Sequence, residues 1–213
     1  MSKLRTVNDL QDLLDMEFAW RLKEIADMKR AVRGSTGLSQ DTLIRAGIPL
    51  FYAHWEGFVK ATAEAYIRFV SLQRLRYSEL TSAFVVFGVK RHLQSLAESR
   101  KAKVNIAAAD FFATKFSERA QLSFASAIDT EANLSSGVFE NIVLSVGISP
   151  TAYEARYNFI DTRLLDRRNR IAHGEYLDLD ATSFRDLADG VIALLRDFKT
   201  DVETAASSGS YKR

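Results

Sequence analysis

Phe51-Tyr52-Ala53-His54-Trp55-Glu56-Gly57-Phe58-Val59-Lys60 sets aromatic rings at positions 51, 52, 55 and 58 of one short run. On a helix these rings cover several faces, which suits a central helix with neighbours on more than one side. The helix around this run can open at Ser39 or Asp41 and continue to about residue 75, with Pro49 kinking it or marking a late start. Upstream, Leu10, Leu14, Phe18, Leu22, Ile25 and Met28 recur at three- and four-residue steps, while Asp12, Glu17, Lys23 and Asp27 lie off that stripe. This spacing predicts a helix over about 8–33, capped by Asn8 and ended by Gly34-Ser35-Thr36-Gly37.

Downstream, the pattern predicts helices over 81–100, 110–128 and 138–146, then one from Thr151 or Pro150 to His173 with Tyr153, Tyr157, Ile160, Leu164 and Ile171 turned inward. A last helix opens near Asp180 or Thr182, carries Phe184, Leu187, Val191, Leu194, Leu195 and Phe198 on its apolar face, and ends before Ala205. The two prolines, Pro49 and Pro150, leave long uninterrupted windows, and strand-like alternation is hard to find. The chain therefore reads as all-α, a helical bundle with additional helices. It forms a single domain over 1–206, followed by a disordered polar tail over 207–213.

A chain of 213 residues with 47% hydrophobic content can bury a full core. Lysine and arginine total 29 against 27 acidic residues, a net charge of +2, so any basic patch must be local. The absence of cysteine excludes disulfides, thiolate zinc sites and cysteine nucleophiles. The start, Met1-Ser2-Lys3-Leu4-Arg5-Thr6, passes directly into a charged amphipathic stretch without the apolar core of a secretory signal. No segment is apolar and uncharged over the roughly 20 residues that a membrane span needs, so a cytoplasmic location without membrane contact is expected. Asn133-Leu134-Ser135 matches a glycosylation acceptor, a pattern common by chance.

The segment with chemical content is Leu164-Leu165-Asp166-Arg167-Arg168-Asn169-Arg170-Ile171-Ala172-His173-Gly174-Glu175. Four residues separate Arg168 from His173, and Gly174 stands where helices commonly end. The segment resembles the Arg-x4-His signature of the HEPN superfamily of helical nucleotide-binding and ribonuclease domains. The run from Phe51 to Lys60, together with Leu134-Ser135-Ser136-Gly137-Val138-Phe139 and Ile160-Asp161-Thr162-Arg163-Leu164-Leu165, is similar to the MAE-type branch of HEPN-like nucleases, over most of residues 8 to 203. The resemblance implies an up-down HEPN-like bundle and a metal-independent endoribonuclease that cuts RNA by 2′-hydroxyl attack. In it Arg168 and His173 are catalytic, Asn169 is supporting, and no cofactor or metal is required. It also implies a toxin or antiphage-defence role with an antitoxin or other regulatory partner.

These side chains suit that chemistry. RNA carries its own nucleophile, so the enzyme must accept a proton, donate one and stabilise charge at the phosphate. Histidine, with an unperturbed pKa of about 6.5, serves either proton role, and arginine offers a charged planar fork. At about 100° per residue, five positions set Arg168 and His173 about 140° apart, whereas Asn169 and His173 share a face. In the resembling nucleases, two copies of the motif face each other, which implies a homodimer or pairing with a related domain.

Plainer readings stand beside these. Arg168 and Arg170 suit a solvated basic helix end, and the His173 ring can bond a terminal carbonyl. Arg163, Arg167 and Arg170 can bind RNA backbone or pair with Asp161, Asp166 and Glu175. His54 is read as a satisfied, partly buried core histidine, although it could be a second catalytic one; His92, beside Lys90, Arg91 and Gln94, reads as a solvated position or part of an RNA-facing basic strip, the former being favoured. Glu56 and Glu175 form no convincing metal site. Tyr176 lies three residues after His173, one more than in HEPN toxins whose tyrosine is nucleotidyl-modified, which argues against that regulation here. The alternative function is a non-catalytic nucleotide- or RNA-binding and dimerisation module of a defence complex.

Overall fold

The computed structural model describes residues 4–123 and 127–213, the Arg91 side chain excepted; positions 1–3, with which the N-terminal reading began, lie outside them. Helix α1 spans Val7–Arg33 and α2 Gly37–Leu72, joined by so short a turn that they run antiparallel. Thr6, rather than Asn8, caps α1: its hydroxyl accepts from the Asp9 N–H, and the Asp9 carboxylate accepts from the Thr6 N–H. Helix α2 begins well before Pro49 and continues through it, so the late start is excluded. Phe51, Trp55, Phe58, Tyr66 and Phe69 are all essentially inaccessible, as a helix surrounded by neighbours requires. Burying each such ring stabilises the fold by roughly 1.5–3 kcal/mol.

Helices α3, Ser82–Glu98, and α4, Ala102–Thr114, pack on each other. The helix expected over 110–128, of which 124–126 lie outside the described residues, lies earlier. Ala107, Ala108 and Ala109 favour helix, whereas the residues after Thr114 give their backbone groups to another segment. Tyr77 N–H donates to the Glu118 carbonyl at 3.2 Å and Ala120 N–H to the Leu75 carbonyl at 2.8 Å. Helix α5, Ser136–Ser145, starts on the Ser135 cap.

One continuous helix was expected from Pro150 to His173. The segment is indeed helical without a break over 150–172 but changes type: 3-10 over Pro150–Arg156, α at 157–158, π over Phe159–Asp166, then α6, Arg167–Ala172. Helix α7, Ala181–Ser208, opens on an Asp180 cap and packs against α1 and α2. At Gly47 the approach of α7 to α2 is so close that a Cβ would lie 2.6 Å from the Phe184 ring. Among the described residues there is no strand beyond two isolated bridges, and the protein is all-α.

The C-terminus departs from the expected disordered tail. Helix α7 continues to Ser208, and Gly209, at φ +72°, closes it. Tyr211 then turns back into the core, edge-on to Tyr66, Phe69 and Phe84. Its carbonyl accepts from Thr81 N–H at 3.0 Å, and Arg213 N–H donates to the Glu79 carbonyl at 3.0 Å. The polar composition of 207–213 hid one aromatic anchor. Tyr211→Ala should therefore lower unfolding free energy in urea by about 3 kcal/mol, the cost of emptying a buried aromatic site; a change within 0.5 kcal/mol, normal for a tail, would contradict this packing.

Candidate active site

The turn that ends α6 presents the motif. Gly174 N–H donates to the Ile171 carbonyl at 3.0 Å, and Glu175 N–H to the Arg170 carbonyl at 2.9 Å, the paired bonds of a Schellman end. This geometry requires the left-handed φ of +78° at Gly174, which glycine adopts without a Cβ penalty. His173 caps the helix through its N–H, bonded to the Asn169 carbonyl at 2.9 Å. Its side chain is exposed, and among the described residues the ring makes no hydrogen bond; the expected bond to a terminal carbonyl is not formed.

Arg168 faces the other way. Its Nη1 donates to Asn133 Oδ1 and to Asn169 Oδ1, each at 2.7 Å, and its guanidinium lies 4.6 Å from the centroid of the Tyr52 ring. A partly desolvated cation over an aromatic face contributes about 0.5–2 kcal/mol. The structure thus brings Arg168 and Asn169 together. Among the described residues no hydrogen bond or ion pair joins Arg168 to His173, in keeping with their angular separation on the helix.

Tyr52 is itself fixed. Its hydroxyl accepts from Leu134 N–H at 2.6 Å, and one turn along α2 the Glu56 carboxylate accepts from Thr130 Oγ1 at 2.7 Å. Burial holds the Tyr52 phenol above its ordinary pKa, with the Glu56 carboxylate adding to the rise and the Leu134 N–H and Arg168 opposing it. Asp161 Oδ1 accepts from Ser136 N–H at 2.8 Å and its Oδ2 from Ser136 Oγ at 2.6 Å. Asp161 is therefore an anchor for the start of α5.

Of the other arginines, Arg163 lies over the Phe159 ring at 5.7 Å. Arg167 is half-buried with an unpartnered Nη1; burial pushes its pKa down, and the neighbouring charges of Arg163 and Arg170 act the same way against Asp166. Arg170 Nε donates to Glu175 Oε2 at 3.0 Å and its Nη2 to the Tyr176 carbonyl at 3.3 Å. Arg170 thus follows the plainer ion-pair reading. Arg163, Arg167 and Arg170 recur at helical spacing and crowd positive charge on one side of the motif.

Tyr52, Asn133 and Arg45, whose Nη1 donates to the Glu175 carbonyl at 2.7 Å, were not singled out for the site. Tyr52 sat inside the aromatic run and Asn133 inside a glycosylation-like triplet, but nothing in one sequence shows that they converge on Arg168. Cavities of about 530 Å³ beside α1 and α7 and about 1120 Å³ beside α3 and α5 are lined by residues outside the motif. In the first, Lys29, Arg30 and Arg185 already pair with Asp189, Asp27 and Asp186. Among the described residues, no three His, Asp or Glu side chains gather where they would hold a metal ion, and no helix is long and apolar enough to cross a membrane.

A family model described as HEPN_MAE_28990/-like HEPN matches residues 10–211. The chain belongs to this HEPN family. No match was found among curated proteins or among solved structures. The match reaches Tyr211, in accord with a C-terminus that packs in the HEPN bundle.

The two remaining histidines of this HEPN chain are placed by packing. His92 stacks flat on Phe111 at 4.0 Å between α3 and α4 and stays half-exposed, so the solvated reading holds only for part of the ring. His54 is buried, 3.2 Å from Glu24 and edge-on to Trp20, away from the motif. Burial pushes its pKa below the ordinary 6.5; Glu24 pulls it up and Arg21 pushes it down. As pH falls below 6.5, the unfolded chain takes up this proton before the folded one does, so stability should decline through that window. Unfolding of His54→Gln should show a shallower decline than the wild type, and an equal or steeper slope would contradict this assignment.

Proposed function

We propose that the chain is a metal-independent endoribonuclease acting by 2′-hydroxyl attack. The observation that carries this reading is the division of labour at α6: an oriented guanidinium on one side and, at the helix end, a solvent-facing imidazole with no competing partner. Arg168 has donors left over after Nη1 is committed, and these are suited to a phosphate. His173 takes the proton from the 2′-oxygen or returns one to the 5′-oxygen leaving group, and Asn169 supports Arg168 at the phosphate. Arg163 and Arg167, with the partly neutralised Arg170, supply a local cationic strip for the RNA backbone.

The opposite bearings of Arg168 and His173 favour a cleft completed by a second copy, so that RNA lies between two motifs as a homodimer. Family membership and this chemistry support a role as toxin or antiphage effector, held in check by a partner protein in the cytoplasm. The lack of a bond between Arg168 and His173 within one chain favours a second reading, a nucleotide- or RNA-binding and dimerisation module without turnover.

Purified protein incubated with total RNA and excess chelator should yield fragments ending in 2′,3′-cyclic phosphate. His173→Ala should cut that rate by about 10²–10⁴-fold, and Arg168→Ala by about 10²-fold, with unchanged circular dichroism. Intact RNA, or a biological effect that survives His173→Ala, would favour the binding module, and cleavage lost with chelator would contradict the metal-independent mechanism.

A further inference from the structure

Resting on the nuclease reading, we propose that Asn133 and Tyr52 are positioning residues that set the plane of the Arg168 guanidinium for a scissile phosphate. A free arginine side chain samples many rotamers, and a fork aimed at a phosphate is effective only when its plane is fixed beforehand. Here two constraints fix it. The two amide oxygens of Asn133 and Asn169 share Nη1 at 2.7 Å, and the Tyr52 ring supports the guanidinium at 4.6 Å. Among the described residues Nη2 and Nε make no hydrogen bond and are left for a ligand.

Asn133 lies outside any helix, yet it is held on both sides. The Tyr52 hydroxyl bonds the next residue, Leu134, which is fully buried. Ser135 caps α5, and Ser136 is gripped twice by Asp161 from the π-helical stretch. On the other side Thr130, also buried, donates to Glu56. Tyr52 and Glu56 lie one turn apart on α2, so the 127–135 segment is pinned to the central helix at two points and offers the side-chain Oδ1 of Asn133 as a preformed acceptor. Asn133, Arg168 and Asn169 are half-exposed, and water can satisfy them if the contact is removed. Stability alone gives little reason for the contact, whereas orientation of a phosphate ligand does.

The test uses the full-length protein. Asn133→Ala should lower kcat for RNA cleavage about tenfold or more, with KM within about twofold and the Tm nearly unchanged, since a misdirected donor is lost in the transition state. Asn133→Asp retains the acceptor oxygen and should keep the guanidinium oriented, whereas its added negative charge opposes the phosphate and should leave kcat low. Tyr52→Phe, which keeps the ring, should lose less than Tyr52→Leu. In an Arg168→Ala background, Asn133→Ala should cause no further loss, because both act through one group. Wild-type kcat in Asn133→Ala, losses that multiply in the double variant, or a fall in activity matched by a fall in folded protein would overturn the proposal.

A readout independent of turnover is the ¹⁵N spectrum of the Arg168 guanidinium. Hindered rotation should separate its Nη signals in the wild type, and Asn133→Ala should merge them; identical spectra would overturn the assignment. Should the wild type cut no RNA, the nuclease reading fails, and this spectrum alone decides whether Asn133 orients Arg168.

Discussion

The guanidinium of Arg168 lying on the ring of Tyr52 is the contact through which the core reaches the motif. Tyr52 can serve as a platform because α2 is enclosed on several sides by α1, α7 and the π-α6 segment, and its rings at 51, 55 and 58 leave it no freedom to roll. A helix packed on one side only would let the platform shift, and the arginine with it. In the proposed nuclease, burial of α2 bears on the chemistry as well as on stability, since a donor misplaced by an ångström loses much of its effect on a transition state.

The second constraint is the way the motif helix is built. A π-helical stretch, Phe159–Asp166, precedes Arg167, a backbone form frequent near functional sites. Within the short α6 that follows, five positions still separate Arg168 and His173, so one turns inward while the other reaches solvent. The Schellman end then locks the exposed histidine at a helix terminus through backbone bonds alone. For an inward arginine and an outward histidine to act together as proposed, a substrate strand or a second copy would have to bridge them.

The fold class was legible because apolar residues at 10, 14, 18, 22 and 25 carry a strong helical period, and because the rings around Trp55 demand neighbours on several faces. Boundaries were less so. The alanine-rich helix lay ahead of its expected place because the residues after Thr114 bond to the 75–78 strip, a long-range pairing that no local pattern reveals. A polar C-terminus concealed Tyr211, and composition cannot show that a single aromatic will return to the core. At the site, Arg168, Asn169 and His173 stood out by their types and spacing. Asn133 and Tyr52 did not, since 81 positions separate them along the chain and only folding brings both to one guanidinium.

The central claim is that Arg168 and His173 act on one phosphodiester. Its most direct test is a crystal structure of the protein with an oligonucleotide whose 2′-hydroxyl at the cleaved position is methylated. The account predicts a phosphate oxygen within hydrogen-bonding reach of Arg168 and the blocked 2′-oxygen beside a His173 imidazole, from the same chain or from a second copy. An oligonucleotide seated elsewhere, with Arg168 contacting no phosphate, would contradict it.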